Sequence, residues 1–329
     1  MGPLREHGVV LRDGVLELRP FTESDWHVAA SWLTDERVLW FSEGDDVPDR
    51  PLADTQSIYR AVSQTADIFL IVDRGTPVGD GWVQRMNLAR IIDRFGDNTA
   101  RVDLQLAVDA WGRGIGTRAI RALTAHAFER GFDLVFGVDI GDYNERSRQA
   151  FLRARYVPWR RVKTPGAPKG RLVHDLICRP EHFYGRAPVI EHPGPDRIRA
   201  GDEPHGATVV VYRRNPDLQV LLLHRAAAAP DFDGDWAWTP PAGARFPAEP
   251  IDECAARELH EEAGLDVQPN PVDLTTDWAV YAAEVAACSG IELDEEHDRY
   301  EWVPAADAAR RCLPSVVRTD VQAALAHFA

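Results

Sequence analysis

The segment GARFPAEPIDECAARELHEEAGL, from Gly243 to Leu265, constrains this chain more than any other. From about Glu249 or Pro250 onward, Ile251, Ala255, Leu259 and Ala263 recur at four-residue steps. That is the apolar stripe of an amphipathic helix with its back to a core. Glu258, Glu261 and Glu262 stand at i, i+3 and i+4 on a neighbouring face, where like charges cost about 0.2–0.5 kcal/mol per pair. A solvated acidic face is one reading of the three. The other is a cation: hard carboxylate oxygens with room for waters suit Mg²⁺ or Mn²⁺, and the ion removes the repulsion. Arg257 flanks them and can hold carboxylates by its fork of donors. Pro240, Pro241 and Gly243 make a tight loop that brings a backbone carbonyl near.

Charge divides the chain in two. Residues 1–185 carry 26 acidic and 25 basic side chains, and residues 186–329 carry 26 and 12, giving a net charge of -15 overall. The acidic second half lacks the basic stripe of a nucleic-acid binder, and no apolar run is long enough to span a bilayer. We therefore expect neither nucleic acid nor membrane as a partner. The start, MGPLREHGVVLRDG, has no apolar h-region and reads as no signal peptide. Cys178, Cys254, Cys288 and Cys312 lie far apart without a CxxC pair, which points to reduced thiols and a cytoplasmic protein.

A length of 329 residues suggests two domains. Proline, glycine and charge replace periodic apolar residues between Pro180 and Gly206, the likeliest boundary. The expected division is 1–184, a linker at 185–205, and 206–329. Before the join, LELRPF, DIFLIVDRGTPVGDGWVQRMN, ARVDLQLAV and LVFGVDI read as strands. TESDWHVAASWL, GIGTRAIRALTAHAFERG and NERSRQAFLRARY read as helices, the last capped by Asn144. After it, GATVVVYRR and LQVLLLHR pair around Asn215, Pro216 and Asp217, and DWAVYAAEV and YEWVPA are further strands.

The acidic helix resembles the Nudix box, G-x5-E-x7-R-E-U-x-E-E-x-G-U. Gly243, Glu249, Arg257, Glu258, Leu259, Glu261, Glu262, Gly264 and Leu265 fill its fixed positions. The resemblance covers roughly 189–329 and implies an α/β/α sandwich in which water attacks a phosphorus of a nucleoside diphosphate derivative. Carried over, Glu258, Glu261 and Glu262, with the Gly243 carbonyl, hold the metal. Glu261 and Glu262 count as catalytic, and Arg257, with Glu249, orients the ligands at the substrate. Glu295 or Glu296 can add a carboxylate or simply be solvated. The proline, coenzyme A and NADH marks of Nudix subfamilies are absent. Tyr281 stands where dinucleoside polyphosphate enzymes carry a tyrosine, or is core.

VDLQLAVDAWGRGIGTRAIRAL is a strand, a bend, a glycine loop and a helix. Glycines let backbone approach a ligand, and the helix aims free N–H groups at the loop, a ready phosphate site. Arg113 and Arg118 add positive charge. A dinucleotide-binding turn and a plain turn are the alternatives; GxGxxG is missing, and so is the GKS/T of a P-loop. The order of LELRPFTESDW, this loop and VDIGDYNERSRQAFLRARYVP resembles the GNAT acyltransferases over about 14–180. Within them it is most similar to the aminoglycoside 6'-N-acetyltransferases, although Trp111 stands where Gln or Arg is common.

That resemblance implies a mixed sheet flanked by helices, with acetyl-CoA held by Arg113, Gly114, Ile115, Gly116, Thr117 and Asn144. Asp103 aligns with the base on a splayed strand, or is an ordinary strand-end carboxylate. Asp139 aligns with a residue holding the acceptor, and Trp40 stacks on a sugar or is core. The acidic run from Glu43 to Asp46 would draw a polycation. The tyrosine often proposed as thiolate acid is Phe151 here, leaving Tyr143, water or no dedicated acid. The chain thus reads as an α/β (α+β) fusion of two enzymes, with a small-molecule amine, aminoglycoside-like, as acceptor. The alternatives are acetylation of protein N-termini, and a second domain that senses or docks rather than hydrolyses.

Overall fold

An eight-stranded sheet organises residues 1–184, the first of two units into which the chain divides, 1–184 and 185–329. The computed structural model describes residues 2–43, 51–163, 172–191, 198–227 and 234–328. The first unit runs β1 (Leu11–Asp13), β2 (Leu16–Pro20), α1 (Trp26–Leu33), α2 (Glu36–Glu43), α3 (Leu52–Val62), β3 (Ala66–Asp73) and β4 (Thr76–Arg85). It continues through α4 (Ala89–Phe95), β5 (Thr99–Leu106), α5 (Ile115–Glu129), β6 (Leu134–Gly141), α6 (Glu145–Arg153), β7 (Val157–Lys163), β8 (Leu172–Cys178) and α7 (Pro180–Phe183). The strand order is β1-β2-β3-β4-β5-β6-β8-β7. The β3–β4 turn falls on Arg74 and Gly75, both at left-handed φ, the geometry that suits a two-residue hairpin.

Among the described strands of this unit only β5 and β6 pair in parallel, and only from Thr99 to Arg101 against Leu134 to Phe136. Beyond that point the two strands part. β5 stays paired with β4 as far as Leu106, while β6 bulges between Gly137 and Ile140 and continues along β8. Asp139 sits in the bulge at φ +57. Helices α5 and α6 bury Ile120, Leu123, Ala127 and Phe151 against one face of the sheet; α1 and α3 bury Trp32, Leu33 and Tyr59 on the other.

In the second unit the elements are β9 (Val189–Glu191), β10 (Ile198–Ala200), β11 (Gly206–Arg214), β12 (Leu218–Arg225), β13 (Trp238–Thr239), β14 (Ala242–Ala244) and α8 (Ile251–Ala263). β15 (Asn270–Asp273), β16 (Trp278–Glu284), β17 (His297–Pro304), α9 (Ala305–Arg311) and α10 (Ser315–Phe328) complete it. The central order is β13-β12-β11-β16-β15, with β14 on β11 and β17 on β12. Helix α8 packs Ala255, Leu259 and Ala263 on one face, and α9 and α10 pack Ala308, Val321 and Ala324 on the other. This is an α/β/α arrangement.

Residues 185–205, expected as a linker, are built into this unit where they are described. β9 and β10 pair as a ribbon. Ala200 N–H donates to the Arg245 carbonyl (2.8 Å), and the Arg245 guanidinium donates to the carbonyls of Asp202 (2.6 Å) and Pro204 (2.8 Å). Proline and glycine signal a break in periodicity, which a fastened ribbon shares with a free linker.

Candidate functional site

The parting of β5 and β6 opens a cleft of about 450 Å³ between β5, the bulge of β6 and the start of α6. The glycine loop stands at one side. Gly112 and Gly114 have φ of +72 and +75, a region that strains any side chain. Nothing lies within 4 Å of where a Cβ on either would point. Gly114 caps α5, so the first-turn N–H groups of Ile115, Gly116 and Thr117 have no partner within the helix. The Ile115 side chain is buried in the core, and Gly116 lines the cleft.

The expected loop cations are spent elsewhere. Arg113 pairs with Asp73 (2.8 Å), and Arg118 with Asp13 (2.7 Å). Asn144 caps α6: its Oδ1 accepts from Ser147 N–H (3.2 Å) and its Nδ2 donates to the Phe41 carbonyl (3.1 Å). It lines the cleft all the same.

Asp103 and Asp139 both line the cleft, one from each parted strand. Asp103 stands opposite Trp82 across the β4–β5 ladder. Asp139 accepts from Arg90 Nη2 (2.9 Å), and its own N–H donates to the buried Asp175 (2.9 Å). Burial raises the Asp175 pKa against the opposing pull of that N–H and of Arg90. Trp40 is 39% exposed and packs edge-on to Phe41 (4.6 Å) and Tyr143 (4.9 Å). It forms no part of the cleft lining among the described residues, and neither does Tyr143, whereas the buried Phe151 does. Gly44, Asp45 and Asp46 of the acidic run, and the Glu43 side chain, lie outside the described residues.

Sequence reasoning passed over several cleft residues. Trp82, Gln105 and Arg146 line it, and the Trp82 Nε1 and Gln105 Oε1 atoms are buried without hydrogen-bond partners. Asp80 lies on the same face as Trp82, two residues away on β4. It is wholly buried and accepts from Trp32 Nε1 and Tyr59 OH, both at 2.6 Å. Burial pushes its carboxyl up to about 7, against those two donors and with nearby Asp103 adding to the rise. The available signal was the alternation of Asp80, Trp82 and Gln84 along one strand.

In the second unit Arg257 is buried and uses all five of its N–H donors. Nε and Nη2 grip Glu249 (2.8 and 3.0 Å), Nη1 reaches Glu258 (2.6 Å) and Glu261 (3.0 Å), and Nη2 also reaches the Ala244 carbonyl (3.0 Å). Glu262 accepts from Ala242 N–H (3.0 Å). Burial raises the carboxyls of Glu258, Glu261 and Glu262, Glu261 to about 7, with Arg257 opposing the rise at the first two and neighbouring carboxylates adding to it at all three. A Cβ on Gly243 would fall on the Glu258 carboxylate, so glycine is what lets that side chain lie against β14. Gly264, at φ +66, ends the helix and donates to the His260 carbonyl (2.9 Å).

The donor set fits a hard divalent cation: of four buried or half-buried carboxylates three share one guanidinium and Glu262 has none, so negative charge is left uncompensated. As the side chains stand, no three described His, Cys, Asp or Glu groups converge on one metal position. Asp294 and Glu296 add negative charge beside Glu262; of these the sequence reading named only Glu296. Tyr281 is buried in the α8 core.

Comparison with known families decides what the two units are. Residues 16–157 match the model of an acetyltransferase (GNAT) domain, and residues 204–320 match that of a NUDIX domain. The chain joins a GNAT acetyltransferase domain to a NUDIX domain. The GNAT match encloses the glycine loop, Asp103 and Asp139; the NUDIX match encloses the carboxylate helix.

Solved structures similar to the GNAT domain include the aminoglycoside acetyltransferase AAC(6')-Ib in complex with coenzyme A. It is 21% identical over 52% of this chain and 98% of its own, with a TM-score of 0.44. The ribosomal-protein alpha-N-acetyltransferase RimL is 17% identical over 52% and 98%, with a TM-score of 0.43. For the NUDIX domain, a C. elegans Ap4A hydrolase is 22% identical over 37% of this chain and 97% of its own, with a TM-score of 0.31. The two domains are those of acetyl transfer and of nucleotide hydrolysis. Among the described residues no helix is long and apolar enough to cross a membrane.

Proposed function

We propose that the chain is a bifunctional enzyme. The GNAT domain transfers an acetyl group from acetyl-CoA to the amine of a small polycationic acceptor of aminoglycoside type. The NUDIX domain hydrolyses a nucleoside diphosphate-linked substrate with Mg²⁺ or Mn²⁺. The observation that carries the first activity is the parting of β5 and β6, with a glycine-capped helix at one side of the gap and Asp103 and Asp139 on its two strands.

The thioester arm enters between the strands, with its phosphates toward the N–H groups of Ile115, Gly116 and Thr117. Asp139 and Asp103 attract ammonium groups of the acceptor. Asp103 orients the reacting amine and takes its proton. The nitrogen then attacks the thioester carbonyl, the C–S bond breaks, and the departing sulfur takes the second proton that the nitrogen sheds, relayed by water, since Phe151 has none to give.

In the NUDIX domain Glu258, Glu261, Glu262 and the Gly243 carbonyl would hold the cation, whose chemistry there is Lewis-acid polarisation of a phosphoryl oxygen. Arg257 and Glu249 keep those carboxylates in place. Water attacks phosphorus and a P–O bond of the diphosphate breaks.

An acetyl-CoA thiol-release screen across aminoglycosides and peptide N-termini tests the acceptor. On the amine turned over, Asp139→Asn is expected mainly to raise the acceptor KM and Asp103→Asn mainly to lower kcat. Turnover of peptide N-termini with no aminoglycoside accepted would replace the acceptor class. Wild-type kinetics in both variants would remove these residues from the site.

A further inference from the structure

The guanidinium of Arg146 lines the cleft from the second position of α6. It lies 3.8 Å from the ring centre of Trp111 and 4.5 Å from that of Phe41. Both rings are fixed. Trp111 Nε1 donates to the Leu106 carbonyl (2.9 Å), and the Phe41 backbone is tied to α6 by Asn144. Among the described residues no carboxylate pairs with Arg146; these two ring contacts are its partners. The contrast with the loop arginines is sharp, because Arg113 and Arg118 are neutralised by Asp73 and Asp13.

A guanidinium packed against aromatic rings rather than paired with a carboxylate keeps its N–H donors for a ligand. Trp111 leads directly into Gly112 to Gly116, and Arg146 lines the same cleft as Trp111 and Gly116, the latter in the first turn of α5. A cation next to such a helix start is phosphate-recognition chemistry. We propose that Arg146, rather than Arg113 or Arg118, is the charged anchor for a phosphate of the coenzyme thioester. The aromatic pair Phe41 and Trp111, set edge to face at 88°, holds it in position. The proposal rests on the reading of the first unit as a coenzyme A-binding domain. It assigns the phosphate contact to a residue outside the glycine loop.

Titration calorimetry of the full chain with coenzyme A, dephospho-coenzyme A and pantetheine tests it without knowledge of the acceptor. Arg146→Met is expected to weaken coenzyme A binding about ten- to a hundredfold and to leave pantetheine affinity as in wild type. Salt dependence of the coenzyme A affinity should become shallower, which a merely structural role would not produce. Arg146→Lys, with charge but no planar fork, should fall between. If dephospho-coenzyme A binds variant and wild type equally, the contact is to the 3'-phosphate. If it loses as much as coenzyme A, the contact is to the diphosphate. Unchanged coenzyme A affinity in Arg146→Met overturns the proposal, as does an equal loss for pantetheine. No coenzyme A binding by wild type would instead sink the reading of the domain.

Discussion

Replacing Arg257 by methionine keeps most of the side-chain volume and removes every donor. The guanidinium is 4% exposed and makes five hydrogen bonds to oxygen, four of them to Glu249, Glu258 and Glu261. Removing one partner of a buried ion pair costs about 3–5 kcal/mol, because the remaining charge is stranded. For a unit the size of residues 185–329 that lowers the melting temperature by roughly 8–15 °C. Calorimetry should show only the transition of the second unit moving.

The loss must also depend on pH. A carboxyl whose folded pKa lies above its unfolded value binds its proton more tightly when folded, so stability falls as pH rises between the two. Burial already holds Glu261 at about 7 with Arg257 present, and removing the cation raises it further. The penalty should therefore be small near pH 5 and grow towards pH 8. Millimolar Mg²⁺ should recover part of it. A shift below about 2 °C, or one that is the same at pH 5 and pH 8, would refute the view that Arg257 offsets the charge of this cluster.

Asp80, held at about 7, should make the first unit lose stability between about pH 4 and 7. Asp80→Asn, which can accept from Trp32 and donate to Tyr59, should flatten that slope. It should gain of order 2–4 kcal/mol over wild type at pH 8 in urea titrations; an unchanged slope would show that Asp80 is ionised throughout. Gly243→Ala places a methyl on the Glu258 carboxylate, so phosphate release should fall at least about tenfold, with a higher Mg²⁺ requirement. Wild-type Mg²⁺ dependence would exclude close approach of that carboxylate to β14.

The carboxylate helix was legible because its constraints are local: stripe, charges, arginine and capping glycine occupy 23 consecutive residues. The glycine loop and the Asn144 cap are equally short-range. What escaped depends on side chains that the fold brings from far apart. Nothing near Arg113 or Arg118 announces Asp73 and Asp13, which arrive from the ends of β3 and β1. Phe41, Trp111 and Arg146 meet only because α2, the glycine loop and α6 converge on the gap between β5 and β6. Asp80 looked like any strand residue until Trp32 and Tyr59 closed over it. The pairing of 189–191 with 198–200 was hidden for the opposite reason: its proline- and glycine-rich surroundings advertise a break and say nothing of the strands beside it.

The central claim is that one chain carries two separate active sites. The most direct test assays acetyl-CoA thiol release and Mg²⁺-dependent phosphate release side by side on the full chain, as wild type, Glu262→Gln and Gly114→Val. Glu262→Gln should abolish phosphate release and leave acetyl transfer near normal. Gly114→Val should raise the KM for acetyl-CoA severely and leave phosphate release intact. A folded variant that loses both activities together, or a pair of variants in which neither substitution touches its own reaction, would contradict the account.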